Sequence, residues 1–300
     1  MLYASPLAPS MGSPSYIYRN EMNMKNTGIE FEISGDIIKT KDVRWNAALN
    51  LTHYKNKLTK LPNSKPADLY PDGYAAGNYW RKIGGTLYDW YMYEYAGVDA
   101  QTGKPQYRKY VTDDEGNETI ELVNSITSAT LRQTGKSAIP DLTGGFSTSV
   151  EAFGFDLSIQ TAFQLGGYVL DDYYMSLMNP GSLGGNFHKD MFNRWTPAHT
   201  DTNIPRLFYQ GQNEGISGNS DFYLTKASYF SLKNITFGYT IPKHITAKWG
   251  IDKVRVYFVG DNIWLQSKRK GLDPRQSFDG TTSSVYSALS SYSFGLNVSF

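Results

Sequence analysis

The sequence predicts an all-β protein, an antiparallel transmembrane β-barrel segment of about nine strands. Three observations predict it. Segments of roughly ten residues alternate apolar and polar side chains along the chain. Short and long connections take turns between them. The composition is aromatic and sparsely charged, with 23 Tyr, 28 Gly and only 19% charged residues.

Alternation sets Ile29, Phe31, Ile33 and Ile37 against Glu30, Glu32, Ser34 and Asp36 in a first strand over 27–39. The next strand, over 42–56, sets Trp45, Ala47, Leu49 and Leu51 against Arg44, Asn46, Asn50 and Thr52. Runs over 86–97, 105–112 and 142–152 read as the following three. Over 155–168, Phe155, Leu157, Ile159, Phe163 and Leu165 point one way, and Asp156, Ser158, Gln160 and Gln164 the other. The run 226–241 opposes Ile235, Phe237, Tyr239 and Ile241 to Asn234, Thr236, Gly238 and Thr240, and a strand over 253–266 follows. The last strand, 286–300, places Tyr292, Phe294, Leu296, Val298 and Phe300 on one face, with Ser293, Gly295, Asn297 and Ser299 behind them. A dry core would demand partners for Glu30 and Glu32, whereas a water-filled lumen does not. The opposite face lacks the lysines of a solvated sheet and suits lipid.

The connections support the same reading. Thr40-Lys41 and Phe153-Gly154 are tight turns, Val98 to Lys104 is a longer one, and Pro242 to Asp252 is moderate. Those over 57–85, 113–141, 169–225 and 267–285 are long, which is uncommon in compact soluble domains. Outer-membrane barrels keep short turns in the periplasm and long loops outside. With residue 300 at the periplasm, the turns near Thr40, Gly103, Gly154 and Lys248 fall inside, and the four long loops fall outside. Mean hydropathy is -0.45, and no apolar run approaches the length of a membrane helix. The 29 basic and 28 acidic residues nearly balance, so no global field recruits nucleic acid.

Several motifs together carry a family resemblance. They include Asn26-Thr27-Gly28-Ile29-Glu30-Phe31-Glu32, Tyr95-Ala96-Gly97-Val98-Asp99, Ile139-Pro140-Asp141-Leu142-Thr143-Gly144-Gly145-Phe146 and Phe153-Gly154-Phe155-Asp156-Leu157-Ser158. Arg194-Trp195-Thr196-Pro197, Ile204-Pro205-Arg206-Leu207, Tyr229-Phe230-Ser231-Leu232-Lys233-Asn234-Ile235, Gly271-Leu272-Asp273-Pro274 and the closing Ser293-Phe294-Gly295-Leu296-Asn297-Val298-Ser299-Phe300 complete the set. In this order they resemble the C-terminal part of the SusC/RagA family of TonB-linked outer-membrane proteins of Bacteroidetes-type bacteria. The resemblance implies a larger plugged barrel of about twenty-two strands. It implies energy-coupled nutrient uptake, most often of an oligosaccharide, with no bond chemistry and no cofactor. It implies outer-membrane lipid, a SusD-like lipoprotein lid, the TonB complex and the barrel-assembly machinery as partners. It also implies that the terminal strand, Tyr292, Phe294, Leu296, Val298 and Phe300, is the assembly signal. Met1 to Leu7 show neither a basic nor an apolar leader region, so the chain is expected to be part of a longer one, with signal peptide, plug and first strands elsewhere.

Other chemistry is thinly represented. Cysteine is absent, and His53, His188, His199 and His244 have no metal-ligand spacing. Asp171-Asp172 and Asp113-Asp114-Glu115-Gly116-Asn117 match no complete calcium loop, and no phosphate or dinucleotide fingerprint occurs. No catalytic or metal site is therefore expected. The informative side chains are the rings of loop 169–225, which suit stacking on sugar faces. Trp195, Tyr173, Tyr174, Arg206 and Tyr209 are the candidate substrate contacts, and loop packing or a membrane-interface girdle is the alternative use of each ring. A secreted or surface carbohydrate-binding β-sandwich is the alternative function.

Overall fold

Seven strands form one antiparallel sheet in a computed structural model that describes residues 1–12, 16–178, 185–208, 216, 218–283 and 286–300. They are β1 (Asn23–Lys39), β2 (Val43–Lys60), β3 (Leu142–Ala152), β4 (Phe155–Leu165), β5 (Tyr229–Thr240), β6 (Lys253–Ser267) and β7 (Ser291–Ser299). Each pairs with the next in chain order, leaving β1 and β7 as the edges.

Register converts sequence alternation into two faces. Trp45, Val150, Leu157, Phe237, Phe258 and Phe294 stand side by side across β2 to β7. On the other face, Asp36, Asn46, Ser149, Ser158 and Thr236 form the adjoining row. The apolar face is uncovered, with Ile29 73% and Phe294 86% exposed, and no second sheet packs on it among the described residues. A sandwich would require such a sheet. An apolar surface of this breadth is stable only against a non-aqueous solvent, so this is a membrane-barrel wall.

The polar face binds the strands by side-chain contacts. Arg255 donates to both oxygens of Asp156 at 2.8 and 2.5 Å across β5. Gly238 lies between them, and a Cβ there would stand 2.5 Å from Asp156 Oδ1 and 2.7 Å from Arg255 Nε. Asn234 Nδ2 donates to Asp261 Oδ1 at 2.7 Å beside a bulge in the β5–β6 pairing, an inter-strand amide bridge. At the Phe153-Gly154 turn both residues are left-handed, with φ of 52° and 87°, the pattern of a two-residue hairpin whose twist matches its strands.

The strands expected over 86–97 and 105–112 exist but do not join this sheet. The first divides into Asp89–Tyr93 and Tyr95–Val98. Asp89–Tyr93 enters a four-stranded sheet with Leu131–Ser137, and Tyr95–Val98 enters a three-stranded sheet with Pro105–Thr112 and Glu118–Val123. β2 pairs directly with β3 instead. Trp90 and Met92 are fully buried against other connections, whereas the barrel strands turn their apolar side chains outward. Two-residue periodicity is the same in both cases and does not say what the apolar face meets.

Moving those two strands leaves the parity of the others intact. The turns 40–42, 153–154 and 241–252 share one end of the sheet, where Phe153 N donates to Asp42 O and Thr240 N to Gly154 O. Connections 61–141, 166–228 and 268–290 share the other. The turn at Gly103 therefore belongs with the long connections, correcting its expected periplasmic place.

The long connections are a folded layer with its own core. Trp90, Met92, Ala138, Leu170, Tyr174, Met178, Met191 and Tyr223 bury one another there, all of them from connections. A smaller cluster of Met22, Leu58, Leu61, Tyr74 and Leu87 seals the upper ends of β1 and β2. Water-driven burial thus occurs where the chain is wet, and the sheet leaves its apolar face to lipid.

Candidate functional site

Within that layer, a cavity of 410 Å³ opens between helix α1 (Asp172–Met178) and segment 269–287. Its floor is built from paired charges. Asp171 accepts the Tyr174 backbone N–H at 3.0 Å, opening α1, and its other oxygen accepts Arg269 Nη1 at 2.6 Å. The Arg269 guanidinium lies 3.4 Å from the centroid of the Tyr174 ring, a cation–π contact. Tyr174 O–H donates to Asp190 Oδ2 at 2.9 Å; burial, with that hydrogen bond, pushes its phenol well above the usual range. Thr282 ties the two sides together, accepting the Asp172 N–H at 3.1 Å and donating its own N–H to Leu170 O at 3.0 Å.

Arg275 grips Asp273 with two bonds of 2.7 Å. Burial pushes the Asp273 carboxyl up, and the hydrogen bonds and charge of Arg275 overcome it, holding the group below its ordinary 3.8. Of the cavity's lining cations, Arg269 is matched by the buried Asp171 and Lys270 is exposed; rings and polar edges make up much of the rest. Tyr173, 52% exposed, and Tyr286, 97% exposed, stand at its rim, with Gln276 and His188 among its walls.

The structure divides the five candidates read from the sequence. Tyr173 is available to a ligand, while Tyr174 is 6% exposed and serves as the platform beneath Arg269. Trp195 and Arg206 sit apart from the cavity, at a junction with the 98–105 turn. Trp195 Nε1 donates to Ala100 O at 3.0 Å, and its ring covers Gly103, whose φ is 71°. Arg206 N–H donates to Gly103 O at 3.0 Å. Both therefore staple two connections together. Tyr209 lies outside the described residues. Sequence reading missed Arg269, Asp273, Gln276 and Tyr286. The Gly271-Leu272-Asp273-Pro274 motif marks their neighbourhood, but nothing in it shows that 269–287 folds against α1.

The Asp113–Asn117 cluster is structural. Asp113 caps its own turn, accepting the N–H groups of Glu115 at 3.0 Å and Asn117 at 2.8 Å. On the terminal strand, Tyr292, Phe294 and Leu296 lie on the open apolar face at 60%, 86% and 64% exposure, with Val298 in phase and Phe300, 92% exposed, just beyond the strand.

No family model matches the chain. TonB-dependent receptor P3 of Formosa agariphila is 29% identical over 321 residues, covering 100% of this chain and 31% of its own length. TonB-dependent receptor SusC of Bacteroides thetaiotaomicron is 28% identical, over 94% of this chain and 27% of its own. Among solved structures, the RagAB peptide transporter superimposes with a TM-score of 0.81 at 29% identity, over 100% of this chain and 32% of its own. The RagAB peptide importer in its open-open state gives 0.75 at 28% identity. The chain spans about a third of the length of these relatives. A seven-stranded wall with one face bare to lipid is thus similar, along its length, to the TonB-dependent receptors of SusC and RagA type, β-barrels of the bacterial outer membrane.

Proposed function

We propose that this chain is the C-terminal wall and part of the extracellular loop layer of a TonB-dependent importer, and that the importer takes up a neutral oligosaccharide. The observation that carries the substrate class is the cavity at the loop end. Its floor arginine, Arg269, is matched by the buried Asp171, and exposed tyrosine rings stand at its rim with Lys270 beside them, so it offers stacking and hydroxyl bonding. A SusD-like lipoprotein would cover this layer, and a plug within the completed barrel would couple it to TonB. The terminal strand would be read by the barrel-assembly machinery. The protein does no covalent chemistry.

A second reading, peptide uptake, is favoured by the match to the RagAB peptide transporter. Uptake of labelled maltohexaose, cellohexaose, xylohexaose and a blocked hexa-alanine, with and without an uncoupler, separates the two. Energy-dependent uptake of a hexasaccharide that falls with Tyr173→Ala supports the proposal. Uptake of the peptide alone would replace it with the second reading.

A further inference from the structure

Beneath the loop layer lies a second cavity, of 380 Å³, between the lumen face of the sheet and the connections over it. Its wall is a cross-strand row: Thr143 of β3 pairs with Gln164 of β4, which pairs with Tyr229 of β5. Thr52 of β2 continues the row, and Tyr54, two positions on, points to the same face. The roof comes from Tyr168, Arg275 and Phe278 of the connections.

Three features identify what this cavity would hold. Tyr54, Tyr168 and Tyr229 all line it, and none of their hydroxyls has a hydrogen-bond partner among the described residues. None is sealed from solvent either, since the Nε of Arg81 is the single buried side-chain atom without a partner there. They are therefore accessible donors and acceptors on residues that line the cavity. Charge is balanced, because Arg275 is held by Asp273 at 2.7 Å and by Ser231 Oγ at 3.2 Å. Flat rings beside neutral hydroxyls and an amide suit a polyhydroxylated ring. The charged ends of a free peptide would find no unpaired opposite charge. The size falls in the range of about 300–1,000 Å³ typical of ligand pockets.

We propose that this cavity is a second sugar-binding subsite, distinct from the outer one, which holds a neutral saccharide unit on the lumen side as it leaves the loops. The proposal rests on the oligosaccharide reading above for its ligand.

The test is calorimetric titration of the intact receptor in detergent with maltohexaose, cellohexaose, xylohexaose and blocked hexa-alanine. One of the sugars should bind at two sites. Tyr54→Phe and Tyr229→Phe, which remove only hydroxyls, should weaken one site by about fivefold each and leave the other unchanged. Tyr173→Ala should do the reverse. If a sugar binds while the double Phe variant matches the wild type, the subsite is wrong and the oligosaccharide reading survives. If no sugar binds the wild type, both fall. Tyrosine-dependent binding of hexa-alanine would overturn the ligand class.

Discussion

An arginine placed in the middle of β4 should report the membrane directly. Ile159 lies four positions from Phe155, whose ring stacks on Phe237 at 5.9 Å and tilts against Tyr239 at 4.5 Å beside the Phe153-Gly154 turn. At about 3.4 Å per residue and a tilt of about 40°, Ile159 sits roughly 10 Å above that aromatic level. That is close to the centre of an apolar band about 25 Å tall. Ile159→Arg should therefore cost about 2–4 kcal/mol. Gln160→Arg, one residue on and flanked by Ser147 and Asn234 on the lumen face, should cost close to nothing. Leu296→Arg supplies the depth control. Leu296 pairs with Val256, and Val256 with Tyr239, so it lies at the girdle level, where the same charge costs about 0–1 kcal/mol. Denaturant unfolding of the intact receptor in lipid vesicles, read by heat-modifiable mobility, gives the three values. Equal losses for Ile159→Arg and Gln160→Arg would refute the assignment of faces, and a Leu296→Arg loss as large as that of Ile159→Arg would refute the depth.

Three further outcomes are expected. Gly238→Ala should force the Asp156–Arg255 pair apart and cost about 1–3 kcal/mol in the same unfolding assay, while Gly35→Ala, with open space around its Cβ, should not. Trp195→Ala should free the 98–105 turn, losing about 2 kcal/mol of local stability for a half-buried indole and exposing the turn to limited proteolysis in intact cells. The depressed pKa of Asp273 makes its contribution to the loop layer fully present above 3.8 and lost as pH falls through the depressed value. Asp273→Asn should therefore flatten the acid limb of loop unfolding, followed by tyrosine fluorescence, and leave the neutral range with a constant deficit.

The barrel wall was legible because a two-residue period against a lipid–water boundary writes itself into every strand. Ile29 to Asp36 and Tyr292 to Ser299 could be assigned to faces before any pairing was known, and the register agrees. The long connections were legible only as lengths. Trp90 and Met92 share the period of a barrel strand yet bury themselves in the loop layer, because alternation specifies that one face is apolar and leaves its partner open. The candidate site divided for the same reason. Aromatic content marked loop 169–225 as chemically rich, but whether a ring is a platform like Tyr174, a staple like Trp195 or a rim like Tyr173 depends on contacts with residues 98–105 and 269–287. Those contacts span roughly a hundred positions and leave no local pattern.

The wall assignment requires that the 98–105 turn and the 241–252 turn lie on opposite sides of the outer membrane, since the first is packed under Trp195 in the loop layer and the second joins β5 to β6 at the other end. Gln101 and Lys248 are both exposed, and each can be replaced by cysteine in a chain that has none. With a membrane-impermeant maleimide, Gln101→Cys should label in intact cells, and Lys248→Cys only after the outer membrane is permeabilised. Equal labelling of the two in intact cells, or labelling of Lys248→Cys alone, would contradict the barrel wall described here.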